Sequence, residues 1–435
     1  MRFAPHTDDE IRDMLATIDR SSLDDLFSQI PAGVRLDQPL AIPAGVSEME
    51  LVADMRALAA RNRHADELVC FAGGGAYDHY VPSVVWALAG RSEFYTSYTP
   101  YQPELSQGVL QVLFEYQSMI CELTGLEVSN ASLYDGATAL VEAVHMTIAG
   151  AKRRVLVSSG VDPRALEALT TAGRGAGYVP EVFGGSPVVT EDVAAVVVQH
   201  PNVFGVLEPA RELFAAAHDG GARAIQVFDP LSLGVLAPPG ELGADIAVGE
   251  GQGLGNHLNY GGPYLGIIAA RLADVRKLPG RIVGETVDVE GKTGYVLTLQ
   301  AREQHIRREK ANSNICTNQT LMAIAATVAM GWLGRHGLVE LGRQCAAKAA
   351  YTAVALTDLP GVSMAFDGQA FFKEFTVRLP KPAVAVVESM IAHGFLAGVP
   401  MPQAGQDALT VAVTERRSRE EIDRFVSAMG EVLAS

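Results

Sequence analysis

The pattern of apolar and polar positions changes character along the chain, and the changes predict its organisation. From Leu133 onward, short apolar runs alternate with stretches of helical period. Helices are expected at Ala137–Ala149, onward from Asp162-Pro163, and over about Leu207–His218. Strands are expected at Val155–Ser158, Tyr178–Phe183, Ala194–Gln199, Ala222–Phe228, Ile246–Val248 and Tyr264–Ala270. Short apolar strands set between helices predict a mostly parallel sheet covered on both faces. A hairpin-like pair, Arg281–Asp288 and Tyr295–Leu299, departs from that rhythm. After about residue 335 the order becomes a helix to Thr357, a strand at Phe371–Val377, a helix at Lys381–His393, a strand at Leu409–Val413 and a final helix. These make a small α+β unit.

Ahead of that sheet, Thr7-Asp-Asp-Glu10 and Ser47-Glu-Met-Glu50 are capping boxes. The first opens a helix with Ile11, Met14, Leu15 and Ile18 on one face. The second opens a helix with Leu51, Val52, Met55 and Leu58 inward. Between them a short helix begins at Ser22 and is stopped by Pro31, and Gly33–Ala44 reads as an extended linker. The expected division is an arm over 1–64, a large α/β domain over 65–334 and a small domain over 335–435. Such an arm is too small to hold a core of its own, so it is expected to wrap the main domain or a partner.

The stretch Tyr98-Thr-Pro-Tyr-Gln-Pro-Glu104 is a rigid, aromatic, amide-rich turn that leads straight into a helical pattern. Leu105, Val109, Val112, Leu113, Tyr116 and Ile120 recur at helical spacing up to Gly125. Pro103 stands where a first-turn proline loses no hydrogen bond, and Glu104 complements the helix dipole. Residues held between prolines lose little entropy on binding. The turn is therefore either ordinary packing or a substrate-facing lip.

Composition narrows the classes. The chain is 48% hydrophobic and 19% charged, as expected of a well-buried globular protein. Its net charge of −16 argues against a nucleic-acid surface. Cys70, Cys121, Cys316 and Cys345 have no CxxC spacing, which fits buried thiols in a reducing compartment rather than a zinc site, and no metal is expected. The apolar run Leu321–Leu333 falls short of the ~20 residues a membrane helix needs and reads as a helix buried on all sides. A cytoplasmic location follows as the expectation.

Two further stretches carry candidate chemistry. Gly73-Gly-Gly75 lacks the spacing of a phosphate loop, so a close backbone approach explains it better; His79 nearby reads as a surface or interface histidine. Arg302, His305, Arg307, Arg308 and Lys310, followed by Asn312, form a charged run before a buried helix. It is either a solvated face or part of an interface or channel.

These residues also carry a resemblance. Tyr98–Glu104 with Gln107-Gly108, Asn130-Ala-Ser132, Gly261-Gly-Pro263, Pro279-Gly-Arg281, Arg302–Lys310 and Ser313–Thr317 are similar to the P-protein family of the glycine cleavage system. More narrowly, the chain resembles subunit 1, the alpha subunit, of the two-subunit decarboxylating glycine dehydrogenase. The resemblance implies fold type I of the pyridoxal phosphate (PLP) enzymes, like aspartate aminotransferase, with a large domain on a mostly parallel sheet and a small C-terminal α+β domain. It places the pyridine-pairing acid at Asp229 and the phosphate-binding helix start at Asp135-Gly-Ala-Thr138. There Gly136 and Thr138 are vestigial, because Asp135 puts a carboxylate where the phosphate would lie. The Schiff-base position falls at Gln252, whose amide cannot act as the nucleophile. No other lysine ends a strand beside a glycine-rich loop, and Lys310 is the least implausible substitute.

The resemblance therefore implies an enzyme subunit without PLP of its own and inactive alone, completed by a PLP-bearing beta subunit in an α2β2 heterotetramer. That assembly decarboxylates glycine and passes the aminomethyl group to the lipoyl arm of H-protein. Tyr98, Thr99, Pro100, Tyr101, Gln102 and Glu104 are then expected to form a shared active-site wall, with the Arg302–Asn312 set as interface or channel. Two alternatives stay open: an independent fold-type-I PLP enzyme using another lysine, and a non-catalytic assembly or regulatory partner.

Overall fold

In the computed structural model, residues 5–36, 38 and 40–435 are described; residues 1–4 and two positions of the expected linker, 37 and 39, lie outside them. The chain divides into two compact units, Met1–Arg63 and His64–Ser435.

In the first unit local signals act as expected. Thr7 and Glu10 cap the helix Asp8–Thr17 reciprocally, Ser22 and Asp25 cap a 3-10 helix at Leu23–Phe27, and Ser47 and Glu50 cap the helix Glu48–Ala59. Past Pro31 a further 3-10 turn forms at Ala32–Val34, inside the stretch expected to be extended. The apolar faces are a correction. Of the residues expected inward, Leu15 is buried, while Met14, Ile18, Leu51, Val52, Met55 and Leu58 are exposed. Helical spacing gathers apolar side chains on one face, but it does not supply the surface that covers them.

The second unit is built on a seven-stranded sheet. In spatial order its strands are Val128–Ser129, Gly266–Ala270, Ile246–Glu250, Arg223–Phe228, Val193–His200, Arg154–Ser158 and Val179–Phe183. Gly266–Ala270 runs antiparallel to both of its neighbours and the other pairings are parallel. The central strand shows why the sequence folds this way: Val193–His200 is buried at every position but Gln199. Its alternate residues serve opposite faces. Ala195 and Val197 join the core under the helices Gly136–Thr147 and Pro163–Ala176. Val196 and Val198 join the core under Ala210–Asp219. Each such buried valine contributes about 1.5–3 kcal/mol.

Two glutamines of the helix Gln107–Thr124 hold the expected hairpin, Ile282–Val287 with Thr293–Thr298. Gln107 Oε1 accepts from Tyr295 N at 2.9 Å while its Nε2 donates to Tyr295 O at 2.9 Å. Gln117 repeats this with Val283, at 2.9 Å in both directions. The helix begins later than expected. Pro103–Leu105 forms a separate 3-10 turn, Leu105 and Glu104 are exposed, and Ser106 sits outside helical geometry (φ −127°, ψ 25°). Gln107 Nε2 holds that turn through Pro103 O at 2.7 Å.

A long helix, Thr320–Thr357, changes direction at Gly334 (φ 58°, ψ −177°). Its stretch Ala323–Met330 is largely buried, as expected of Leu321–Leu333, but Trp332 is exposed just before the kink. No helix among the described residues is long and apolar enough to cross a membrane. C-terminal to it, a four-stranded antiparallel sheet runs Ser363–Met364, Glu374–Arg378, Ala408–Ala412, Val399–Pro400, with Ala383–Ala392 and Arg419–Ala434 packed on it. Val69–Cys70 pairs in parallel with Phe395–Leu396, and Phe71 stacks on Phe425 at 4.0 Å, so the start of this unit is bound into its C-terminal layer.

Candidate functional site

Parallel sheets of this kind bind ligands beyond the carboxyl ends of their strands. Here a cavity of about 260 Å3 opens there, lined by Gln199, Asp229, Glu250, the helix start Asp135–Ala137, Gly74–Tyr77, Arg164 and Lys373-Glu374. Asp229, the acid expected beside a pyridine nitrogen, follows directly on the strand Arg223–Phe228.

Lys373 corrects the expectation that no lysine other than the absent one could reach this place. It precedes the strand Glu374–Arg378 of the C-terminal sheet and is 1% exposed. Its Nζ lies 2.7 Å from Asp229 Oδ2, 3.0 Å from His79 Nε2 and 3.4 Å from the Tyr77 ring centroid. His79 is therefore a buried bridging residue rather than a surface histidine. Its Nδ1 lies 2.6 Å from Glu415 Oε2, which fits a neutral ring donating to Glu415 and accepting from Lys373. Burial and the Lys373 charge both lower its pKa. Burial works to raise Glu415, but the His79 hydrogen bond and the Tyr80 amide hold it at about 2. His79, Cys345 and Glu415 bring potential metal-ligand atoms within 4.8 Å of one another, but the Lys373 ammonium already supplies positive charge there.

Gly73–Gly75 is the close backbone approach its sequence implied. A Cβ on Gly73 would stand 2.2 Å from Glu374 Oε1, and Gly74 N donates to that oxygen at 2.7 Å. Glu374 also accepts from Tyr77 Oη at 2.8 Å, and burial raises its pKa.

The helix start at Gly136 is occupied by the protein's own carboxylates. Asp135 caps it through Thr138 N at 2.8 Å. Glu250 Oε2 accepts from Gly136 N at 3.0 Å, while its Oε1 accepts from Gln252 N at 2.9 Å and Leu265 N at 3.0 Å. Burial pushes the Glu250 carboxyl up to about 7 against these three amides, and the Asp135 charge adds to the rise. A carboxyl whose folded value lies above its unfolded one takes up a proton on folding. Its contribution to stability is full below the unfolded value, about 4.3, and is lost as pH rises to about 7. Glu250→Gln is expected to flatten that decline, read as denaturation midpoints across this range. Parallel pH profiles in the two proteins would refute the assignment.

Gln252 is 1% exposed and fully engaged. Its Oε1 accepts from Tyr77 N at 2.8 Å, and its Nε2 donates to Tyr77 O at 3.1 Å and Asn256 O at 2.7 Å. The cavity thus does not fit PLP. At the places the resemblance implies, the aldehyde would meet Gln252 rather than a lysine, the phosphate would meet Glu250 and Asp135, and the ring nitrogen would meet an Asp229 already paired with Lys373. Lys373 bonds the acid itself, which leaves it unsuited to the Schiff-base role.

The lip lies elsewhere: none of Tyr98–Glu104 lines this cavity. Tyr98 is 83% exposed, Tyr101, Gln102 and Glu104 are exposed, Thr99 is half-buried and Pro100 is buried. The charged run meets the lip at one point, where the His305 ring stands edge-on to Tyr101 with centroids 6.1 Å apart. Its other members take separate roles. Arg302 donates to the carbonyls of Leu278, Gly280 and Leu299, binding the run to the loop before the hairpin. Arg307 and Asn312 line a small pocket with Arg276 and Lys277, and Arg308 and Lys310 are exposed. The sequence reading missed Lys373, Glu250, Tyr77 and Glu374. The one signal for the first was a charged pair inside the apolar run Phe371-Phe-Lys-Glu-Phe375.

The chain is 50% identical over 449 residues to a probable glycine dehydrogenase (decarboxylating) subunit 1 of Moorella thermoacetica, covering 100% of both chains. It is 46% identical, with TM-score 0.92 and 100% coverage of each chain, to a crystal structure of glycine decarboxylase (P-protein) of the glycine cleavage system in inhibitor-bound form. An aspartate aminotransferase from Thermus thermophilus shares the fold alone, at 18% identity and TM-score 0.58, over 84% of this chain and 99% of that one. The fold is thus that of the fold-type-I PLP enzymes. The family model for the glycine cleavage system P-protein matches residues 1–429, and the chain belongs to that family.

Proposed function

We propose that this chain works as subunit 1 of a decarboxylating glycine dehydrogenase, forming one wall of an active site that a partner subunit completes in an α2β2 assembly. The partner holds PLP and its lysine, glycine is the substrate, and the lipoyl arm of H-protein takes the aminomethyl group. The observation that carries this reading is the cavity's own filling: Lys373 on Asp229 and Glu250 on the Gly136 amide leave a cofactor no place there. A second support is that the lip, with Tyr98 83% exposed, stands outside that cavity and is free to face another chain.

In this role Tyr98 and Tyr101 shield the reacting centre from water, and Gln102 hydrogen-bonds a small polar group. Pro100 and Pro103 keep the turn stiff, so little entropy is lost when it engages. Thr99 and Glu104 complete the wall. His305, Arg307, Arg308 and Lys310 are exposed and supply basic charge on a chain of net charge −16, suited to guiding an acidic surface, while Arg302 anchors the run through its three carbonyl bonds and Asn312 ends it.

The test uses the two-subunit complex with lipoylated H-protein and measures glycine-dependent CO2 exchange. Tyr98→Ala and Gln102→Ala are each expected to lower turnover about 10–100-fold, the range for a misplaced orienting group. Assembly and PLP content of the complex should stay unchanged. Full turnover in both variants would sink the wall reading and leave an assembly role.

A further inference from the structure

The lip has a support that the motif positions alone do not explain. Arg281 is 5% exposed and lies between Gly280 (φ +68°) and the first hairpin strand. Its Nη2 donates to Cys316 O at 2.6 Å and its Nη1 to Asn318 Oδ1 at 3.2 Å. Its own carbonyl accepts from Ala131 N at 2.9 Å, while Asn318 Nδ2 donates to Ser132 Oγ at 2.9 Å. Arg281 thus joins the segment 279–281 to 313–319 through its side chain and to 130–132 through its carbonyl, with Asn318 closing the triangle.

Its charge is the unusual part. No carboxylate among the described residues forms an ion pair with Arg281, and its Nε makes no hydrogen bond. A buried cation left so would be costly. What faces it is the Tyr101 ring, whose centroid lies 5.6 Å from the guanidinium carbon. That is within the range at which a ring face attracts a cation. The contact is reciprocal: the ring partly compensates the charge, and the guanidinium fixes the ring. The rest of the lip is short and stiff, with Tyr101 N bonded to Thr99 O at 2.8 Å and prolines at 100 and 103. Orienting Tyr101 therefore orients Tyr98 and Gln102 on either side of it.

We propose that Arg281 is a positioning residue for the active-site wall: it acts through the Tyr101 ring to hold the Tyr98–Glu104 turn in its working orientation. This rests on the wall reading above. Arginine suits the task because its planar fork bridges two fixed acceptors while its face meets the ring, which an ammonium cannot do.

The experiment is a double-mutant cycle in the assembled two-subunit complex with H-protein, using Arg281→Lys, Tyr101→Leu and the combination. Each single change is expected to lower kcat roughly three- to tenfold, the scale of a contact between a buried guanidinium and an exposed ring, with the KM for glycine little altered. The double variant should be no slower than the slower single one. Tyr101→Phe, which keeps the ring face, should retain several-fold more turnover than Tyr101→Leu, and that advantage should vanish beside Arg281→Lys or, where that variant does not assemble, beside Arg281→Gln. If Tyr101→Leu lowers turnover but the two losses multiply, or if Phe is as poor as Leu, the positioning role is wrong and the wall reading survives. If Tyr101→Leu and Tyr98→Ala both leave turnover intact, the wall reading itself has failed.

Discussion

Lys373→Met is expected to destabilise the protein by about 3–5 kcal/mol, the cost of breaking a buried pair by removing one partner. The ammonium is 1% exposed and holds Asp229 Oδ2 at 2.7 Å, His79 Nε2 at 3.0 Å and the Tyr77 ring face at 3.4 Å. Methionine fills much the same volume, so the loss is electrostatic rather than a cavity. It strands the Asp229 carboxylate and takes from His79 the donor to its Nε2. The Asp229 side chain keeps 15% of its exposure, so some water can reach it and the effect belongs toward the lower end of the range. Adding Asp229→Asn removes the stranded charge. The double variant should then recover most of the stability, because two neutral groups of similar shape are far cheaper to bury than one unpaired ion. Denaturation curves of the wild type, the single and the double variant measure this. A double variant as unstable as Lys373→Met would mean that Asp229 is not the group being neutralised.

Gln252→Lys supplies the residue type that a Schiff base needs, yet it is expected to yield no PLP-binding protein. The amide at 252 accepts from Tyr77 N and donates to Tyr77 O and Asn256 O. A lysine cannot accept, so Tyr77 N loses its partner at a cost of roughly 1–3 kcal/mol. A second ammonium would also be buried at a position 1% exposed. Beyond stability, Glu250 still occupies the Gly136 amide and Lys373 still occupies Asp229. Absorbance after incubation with PLP and borohydride trapping are the measurements, beside a denaturation curve. A stable adduct on the lysine introduced at 252 would overturn the claim that the pocket is filled from within. Combining the change with Glu250→Ser and Lys373→Ala should be the minimum that reopens it.

Much of the fold was legible in the sequence because the signals that make it are local. The capping boxes at Thr7 and Ser47 act over three residues, and the parallel strands stand out because Val193–His200 must be apolar on both faces. Where expectation failed, the cause was distant in the chain. The apolar face of Glu48–Ala59 was legible, but whether anything covers Leu51 or Met55 is not a property of the helix. Leu105 continued the helical spacing, yet Ser106 leaves helical geometry and Gln107 is drawn to Pro103 and Tyr295.

The site divides the same way. Asp229 after its strand and the close backbone approach at Gly73 were readable from the sequence, and the structure shows both. That Lys373 neutralises Asp229, that His79 is a buried bridge and that Glu250 occupies the Gly136 helix start could not be read. His79 and Lys373 stand 294 positions apart, and Glu250 and Gly136 stand 114 apart. Caps, turns and hydrophobic periods are short-range interactions that a sequence carries along its length. The neutralisation of a buried charge acts through space, and its partner is chosen only when the sheet and the C-terminal layer have closed over the same cavity.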